Sequence, residues 1–283
     1  MRALIVTADD FGLHERINEA VIRAHREGVL ACASLMVAAP AARDAVARAR
    51  ACPSLRVGLH IVLADGVSTL GAARVPALTD DDGWMRDAPL KDGLRYALLP
   101  RVRRQLGEEI RAQFEAFRAT GLALDHVNTH KHLHVHPVVL SLILEIGRDY
   151  GMRAMRLPSE ASAPFWLKPW TALTRRRLAR AGIAHNDYVV GMAQTGRFDE
   201  AAWLAALADI DVKDGRVGEI YCHPAVAGDT PITYSMRDYR HADELDALLS
   251  PRVSQALGAA RARGVALGGF SDVFADAFGA GRA

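Results

Sequence analysis

The stretch "ALIVTADDFGLHERINEAVIRAHREG", residues 3–28, changes periodicity part-way and sets the fold class. Its first part, "ALIVTA" (3–8), is a short continuous apolar run and reads as a buried strand. Its second, "HERINEAVIRAHREG" (14–28), repeats its apolar residues at helical spacing and stops at Gly28. A buried strand followed directly by a helix is the repeating unit of a parallel α/β sheet.

The alternation continues along the chain. "ACASLMVAA" (31–39) is strand-like, "AARDAVARARAC" (41–52) helical, and "RVGLHIVL" (56–63) another apolar strand. A strong helix is predicted over 100–120. A short strand then enters "DHVNTHKHLHVHP" (125–137), followed by a helix at 138–150, a strand at "MRAMRLP" (152–158), a helix near 200–209, the strand "GEIYCH" (218–223), a helix near 243–263 and the strand "VALGGF" (265–270). About seven or eight strand candidates favour a (β/α) barrel, regular or distorted from the TIM type, over a small open sheet. The expected organisation is a single domain, 1–283, with irregular insertions at about 64–98 and 159–197. The first contains "DDDGWMRDAP" and reads as a long loop or lid.

Half the residues are apolar, enough for a substantial core. A formal net charge of +2 argues against nucleic acid as a partner. Cys32, Cys52 and Cys222 are widely spaced and form no CxxC pair, so neither a disulfide framework nor a thiolate zinc site is indicated. Cys32 and Cys222 read as buried thiols. The segment "MRALIVTADDFG" lacks the features of a signal peptide, and no apolar run approaches the roughly 20 residues of a membrane span. The expected location is cytoplasmic. Oligomeric state is not legible.

In a parallel α/β fold, sites gather where strands end. Asp9 and Asp10 follow the first strand, and His60 lies near the end of the third. His126 and His130 follow "LALD", and His223 ends "EIYC". These residues would converge at one barrel mouth. One carboxylate of the Asp pair can bind a divalent metal and the other act as general base, provided the strand is ending, since consecutive strand residues point to opposite faces. Alternatively, Asp10 caps the following helix. His60 can be a ligand or a hydrogen-bonded core residue. An Asp with two imidazoles leaves open metal positions for water and substrate, as hydrolysis requires.

The histidine cluster offers several third ligands. On a strand, His130, His132, His134 and His136 would share a face; on a helix, 130/134 and 132/136 would pair. Those that are not ligands would support the site, contact substrate or be structural. His223 can protonate a leaving group, since histidine titrates near neutrality, or sit in a turn. Arg156 can anchor His223 or Asp9, contact substrate, or pair with Glu160.

"TADDFG", "GLH", "DHVNTHKHLHVHP", "MRLPSE" and "EIYCHP" occur in the order seen in YdjC/ChbG-like carbohydrate deacetylases, which the chain resembles from Leu4 to about Phe274. "SLMVAAPAARDAVARAR" and "RVRRQLGEEIRAQFEAFRATGLALDHVNTHKH" look most like the branch associated with hopanoid biosynthesis. The resemblance implies a barrel-like hydrolase that removes the N-acetyl group of an N-acetylglucosamine-type sugar, lipid-linked in that branch and a soluble chitooligosaccharide elsewhere. It implies one divalent metal on Asp10, His60 and His130, with Asp9 as general base and His223 as general acid. His132, His134, Asn128 and Arg156 become substrate or supporting residues. Many relatives have an aspartate where this chain has Asn128, whose amide oxygen still accepts a hydrogen bond. Zinc suits the donor set best; magnesium, nickel, cobalt, manganese and iron are compatible.

The segment "PFWLKPWTALTRRRLAR" (164–180) places Trp166 and Trp170 near Arg175, Arg176 and Arg177. It reads either as an interfacial helix giving peripheral contact at the inner membrane surface or as a solvated face over two core tryptophans. Competing functional classes are another metal hydrolase, an aminohydrolase or phosphoesterase, and a catalytically silent metal- or sugar-binding barrel.

Overall fold

The structure is a computed structural model describing residues 2–210 and 215–279; Met1, 211–214 and 280–283 of the expected domain lie outside the described residues. Strand β1 (Ala3–Phe11) is buried along its whole length, as a strand covered on both faces must be. Around it lie β2 (Cys32–Leu35), β3 (Arg56–Ile61), β4 (Leu124–Thr129), β5 (Tyr188–Val190), β6 (Val217–Cys222) and β7 (Ala266–Gly268). The order is β4-β3-β2-β1-β6-β5, and every pairing is parallel. β7 pairs with β1 at Ala3–Ile5, while β2 pairs with it from Thr7 onward. The sheet is curled, and the architecture is the expected barrel-like α/β fold. Cys32, Cys52 and Cys222 are buried free thiols.

Helices α1 (Glu15–Glu27) and α2 (Ala42–Arg50) follow β1 and β2. The helix read at 100–120 is α4 (Pro100–Ala119), and α5 (Pro137–Asp149) follows the histidine cluster. Both open on proline, whose missing N–H costs nothing in a first turn. Later come α6 (Lys168–Arg180) and α7 (Glu200–Ile210).

Two expected elements differ. The helix near 243–263 is two, α8 (His241–Leu249) and α9 (Pro251–Ala262). Pro251 cannot continue a helix, and the Ser250 hydroxyl accepts from the backbone of Arg252 and Val253 to start a new one. The strand at 152–158 shrinks to bridges from Met155 to Val127 and from Ala154 to Ala184, next to β4. Pro158 has no N–H to extend that ladder.

Within 64–98, residues 89–98 form α3 (Pro89–Leu98). The preceding turns are pinned by a buried polar stripe on α4 at Gln105, Glu109 and Gln113. Glu109 accepts from the backbone of Thr69 and Leu70, Gln105 from Ala77, and Gln113 bonds both the N–H and the C=O of Val62. Positions four apart on a helix share a face, so these three side chains hold the irregular segment against the barrel.

Candidate metal-centred active site

The carboxylates of Asp9 and Asp10 reach one site because β1 bulges instead of ending. Ala8 pairs with Ala33 and Phe11 with Leu35, so Asp9 and Asp10 together oppose Ser34. Asp10 takes a left-handed φ of 63°, costly for a side chain with a Cβ and a recurrent mark of functional positions. The bulge turns both side chains inward.

Asp10 Oδ1 lies 3.2 Å from His60 Nε2 and 3.1 Å from His130 Nδ1. All three residues are buried. Yet neither oxygen of Asp10 has a correctly directed hydrogen bond. His60 Nδ1 lies 2.6 Å from the Asn128 amide oxygen, an acceptor, so the ring hydrogen sits on Nδ1. In the neutral ring, Nε2 then presents a lone pair to a carboxylate oxygen. Two acceptors facing each other in a buried site are unfavourable unless a proton or a metal cation stands between them. Ligand atoms held about 2.1 Å from one ion stand roughly 3.0–3.4 Å apart in octahedral or tetrahedral sites. Asp10, His60 and His130 fit a single divalent metal on these grounds. Burial alone would raise the Asp10 pKa, but the neighbouring His130 and His60 outweigh it and hold the carboxyl well below its usual range. Burial would lower the His60 pKa, but the charges of Asp9 and Asp10, with the contact to the Asn128 amide oxygen, turn its shift upward.

Asp9 is gripped from the other side. Arg156 donates Nη1 to Asp9 Oδ2 at 2.6 Å and Nη2 to Oδ1 at 2.9 Å. The same guanidinium reaches Glu219 through Nε at 3.0 Å and Nη2 at 2.8 Å, and stacks on Tyr221 at 4.6 Å. Burial works against the ionised Asp9, but Arg156 prevails and its pKa falls far below the carboxylate range. Glu160, the other candidate partner of Arg156, instead accepts from the backbone of Gly191, Met192 and Ala193. Asn128 donates to Asp9 Oδ1 at 3.2 Å, so one side chain touches both Asp9 and His60.

The remaining cluster histidines diverge, because the segment is neither strand nor helix. β4 ends at Thr129, and His130–Val135 is a 3-10 stretch kinked by left-handed φ at Lys131 and His132. His132 Nε2 meets the Tyr221 hydroxyl at 3.1 Å and lines the cavity. His134 Nδ1 meets Thr129 Oγ1 at 2.8 Å, away from the cavity lining, and burial pushes its pKa down to about 3. His136 packs edge-on against Tyr96 at the start of α5.

A cavity of about 380 Å³ joins Asp9, His60, His130, His132 and His223. Its other wall carries Met192, Tyr221, Met236 and Tyr239. His223 is fixed through its backbone: its N–H donates to Glu244, and its carbonyl meets His241 Nδ1 at 2.6 Å. Glu219 and Glu244 were not singled out from the sequence. Glu219 was visible as an acid inside the apolar "GEIYC". Glu244 carried no such signal on α8.

The profile of the family described as YdjC-like protein matches residues 3–259. The chain belongs to the YdjC-like family. It is 31% identical over 259 residues to a carbohydrate deacetylase of Brevibacillus brevis, covering 89% of this chain and 93% of that protein. It is 30% identical over 279 residues to a chitooligosaccharide deacetylase of Serratia marcescens, covering 96% and 99%. A solved protein of Enterococcus faecalis, to which cellobiose-phosphate cleavage is ascribed, superposes with a TM-score of 0.76 at 24% identity, over 96% of this chain and 98% of that one. That likeness is one of fold.

Proposed function

We propose that this YdjC-like protein is a metal-dependent hydrolase that removes the acetyl group from an N-acetylglucosamine-type sugar. The observation that carries this reading is the three-donor cluster Asp10, His60 and His130, whose two histidines line one cavity with Asp9 and His223. Binding a metal requires neither of the last two, which argues against a silent barrel. The names of the relatives supply the substrate class.

A divalent ion on Asp10, His60 and His130 would polarise the acetyl carbonyl and acidify water, with zinc the best match to these donors. Asp9 accepts the proton of the attacking water. Arg156 and Asn128 take three of its roughly four lone-pair directions and leave one for that proton. They also keep Asp9 in the ionised form that can accept a proton. His223 protonates the departing amine, and its backbone anchors hold the ring at the cavity wall. Arg156 positions Asp9, with Glu219 balancing its charge.

The finer reading is a lipid-linked sugar, an N-acetylglucosaminyl hopanoid, met by a protein in peripheral contact with the inner membrane surface. Trp166 is 60% and Trp170 45% exposed, so neither is a core tryptophan. Phe165 is 82% exposed beside them. Aromatic side chains next to Lys168 and Arg176 suit a lipid interface. No helix among the described residues is long and apolar enough to cross a membrane.

Acetate release should be measured from chitooligosaccharides and from an N-acetylglucosaminyl glycolipid, with and without chelator. Chelator-sensitive release from either supports the hydrolase, and the preferred substrate decides the finer reading. No release by metal-loaded protein overturns the proposal. Equal sedimentation with anionic liposomes of wild type and the Trp166→Ala/Trp170→Ala variant would remove the membrane contact.

A further inference from the structure

Beneath the cavity lies a second histidine–carboxylate pair that contributes nothing to the cavity lining: Asp125 and His126 on β4, with Ser34 on β2. All three are buried, Ser34 and His126 completely. Asp125 Oδ2 accepts from His126 Nδ1 at 2.8 Å and the Phe270 N–H at 3.1 Å. Its Oδ1 accepts the Ser271 N–H at 2.8 Å and the Ser271 hydroxyl at 2.5 Å. His126 Nε2 meets Ser34 Oγ at 3.0 Å. Ser34 Oγ accepts from Asn128 Nδ2 at 2.9 Å.

The connectivity matches an Asp–His–Ser nucleophile triad, but the serine faces no cavity and its hydroxyl is occupied on both sides. Nor is the group a second metal site, although Cys32, Asp125 and His126 bring ligand atoms within 4.8 Å of one another. Asp125 already takes four donors, both His126 nitrogens are engaged, and Cys32 Sγ sits 3.2 Å from Thr7 Oγ1.

What the chain of bonds does have is a direction. In the neutral His126 ring, an ionised Asp125 that accepts from Nδ1 places the single ring hydrogen there. Nε2 is then the acceptor for the Ser34 hydroxyl, whose oxygen is left to accept. Its neighbour on Asn128 must therefore be the amide NH₂, as the contact to Asp9 also demands. The amide oxygen is thereby turned to His60 Nδ1. A flipped amide would put NH₂ against that nitrogen, move the ring hydrogen to Nε2 and aim it at Asp10.

We propose that Asp125, His126 and Ser34 are positioning residues that, through Asn128, fix the His60 tautomer whose Nε2 lone pair faces Asp10 and the cation. The inference rests on the proposed metal site but not on the substrate or the reaction. Gly58 belongs to the same device: a Cβ there would lie 2.5 Å from His126 Cε1, so only glycine lets the ring lie where it does.

The test is nitrogen-15 NMR of histidine-labelled, metal-free protein at a pH high enough to keep His60 neutral, with zinc and cobalt affinities from chelator competition. Wild-type His60 should carry its hydrogen on Nδ1. Ser34→Ala should give a mixture of tautomers and raise the zinc dissociation constant about tenfold or more. Gly58→Ala, which displaces the His126 ring from a different strand, should act in the same direction. A wild-type ring hydrogen on Nε2 overturns the proposal without any variant. So does a folded Ser34→Ala protein with wholly Nδ1–H His60 and zinc affinity within about twofold of wild type. Neither readout involves acetate, so failure of the deacetylase reading is separately visible. A wild type that binds neither metal overturns the site reading itself.

Discussion

Arg156 holds both oxygens of Asp9 in a two-pronged grip, with Arg156 fully buried and Asp9 nearly so at the edge of the cavity. Its remaining edge holds Glu219. One buried cation thus balances two buried anions, and removing it strands both. Arg156→Met should destabilise the protein by about 3–5 kcal/mol, the range for breaking a buried charge pair. Urea unfolding at neutral pH measures this. Arg156→Lys keeps the charge but not the planar fork, and should fall between the two. A Met variant as stable as wild type would show that the grip contributes nothing net.

Asp9→Asn separates catalysis from metal binding. Asp9 donates no ligand atom to the cluster of Asp10, His60 and His130. The variant should keep its metal and lose about 100-fold or more in kcat, the usual range for a missing general base. Near-normal turnover at full metal occupancy would remove Asp9 from that role.

Two substitutions at Asn128 have opposite expectations. Asn128→Ala takes the acceptor from His60 Nδ1 and should weaken metal binding roughly 10- to 100-fold. Asn128→Asp keeps an acceptor for His60 and should bind metal nearly as well as wild type. It also sets a second carboxylate against Asp9, where an N–H now donates at 3.2 Å. Its metal-free form should therefore be the less stable at neutral pH. Equal metal affinities for the two variants would mean that the bond to His60 does not matter.

The fold was legible because buried strands and amphipathic helices obey different periods, and that difference survives in a single sequence. The ends of elements were less so, as the break at Ser250 and Pro251 inside one apolar pattern shows. The rule that sites lie at strand ends grouped Asp9, Asp10, His60, His126, His130 and His223; the structure gathers all of them but His126, which is held by Asp125 and Ser34 outside the cavity lining, and the choice of three ligands came from the resemblance. The bulge that lets Asp9 and Asp10 share the site was not readable, since pairing to Ser34 is a matter of register. The divergent aims of His130, His132, His134 and His136 depend on left-handed backbone at Lys131 and His132, which no alternation rule describes. Ser34 and Glu244 matter only through what they touch.

Metal affinity should rise with pH. In the metal-free protein the charges of Asp9 and Asp10 outweigh burial and raise the His60 pKa. A proton therefore competes for the nitrogen that the cation needs. Acidification through the raised His60 pKa should weaken zinc binding, and above it the affinity should level off with respect to this group. Chelator competition across about pH 5 to 9 reads this directly. An affinity that falls as pH rises through that range would contradict the assignment of His60 as a ligand.

Asp125 gives a pH dependence of folding with a defined sign. Burial opposes its charge, but His126 and Ser271 lower its pKa below the ordinary aspartate value. A depressed carboxylate contributes stability above its unfolded pKa, near about 4, and loses it as pH falls through the folded value. Asp125→Asn should therefore cost about 1–3 kcal/mol at pH 7, the scale for hydrogen bonds to a buried charge. The gap from wild type should shrink as pH drops below about 4, where wild-type Asp125 takes up its proton. Urea unfolding of both proteins from neutral to acid pH gives the gap at each point. A gap that stays constant through the acid range would show that Asp125 is not held ionised by the fold.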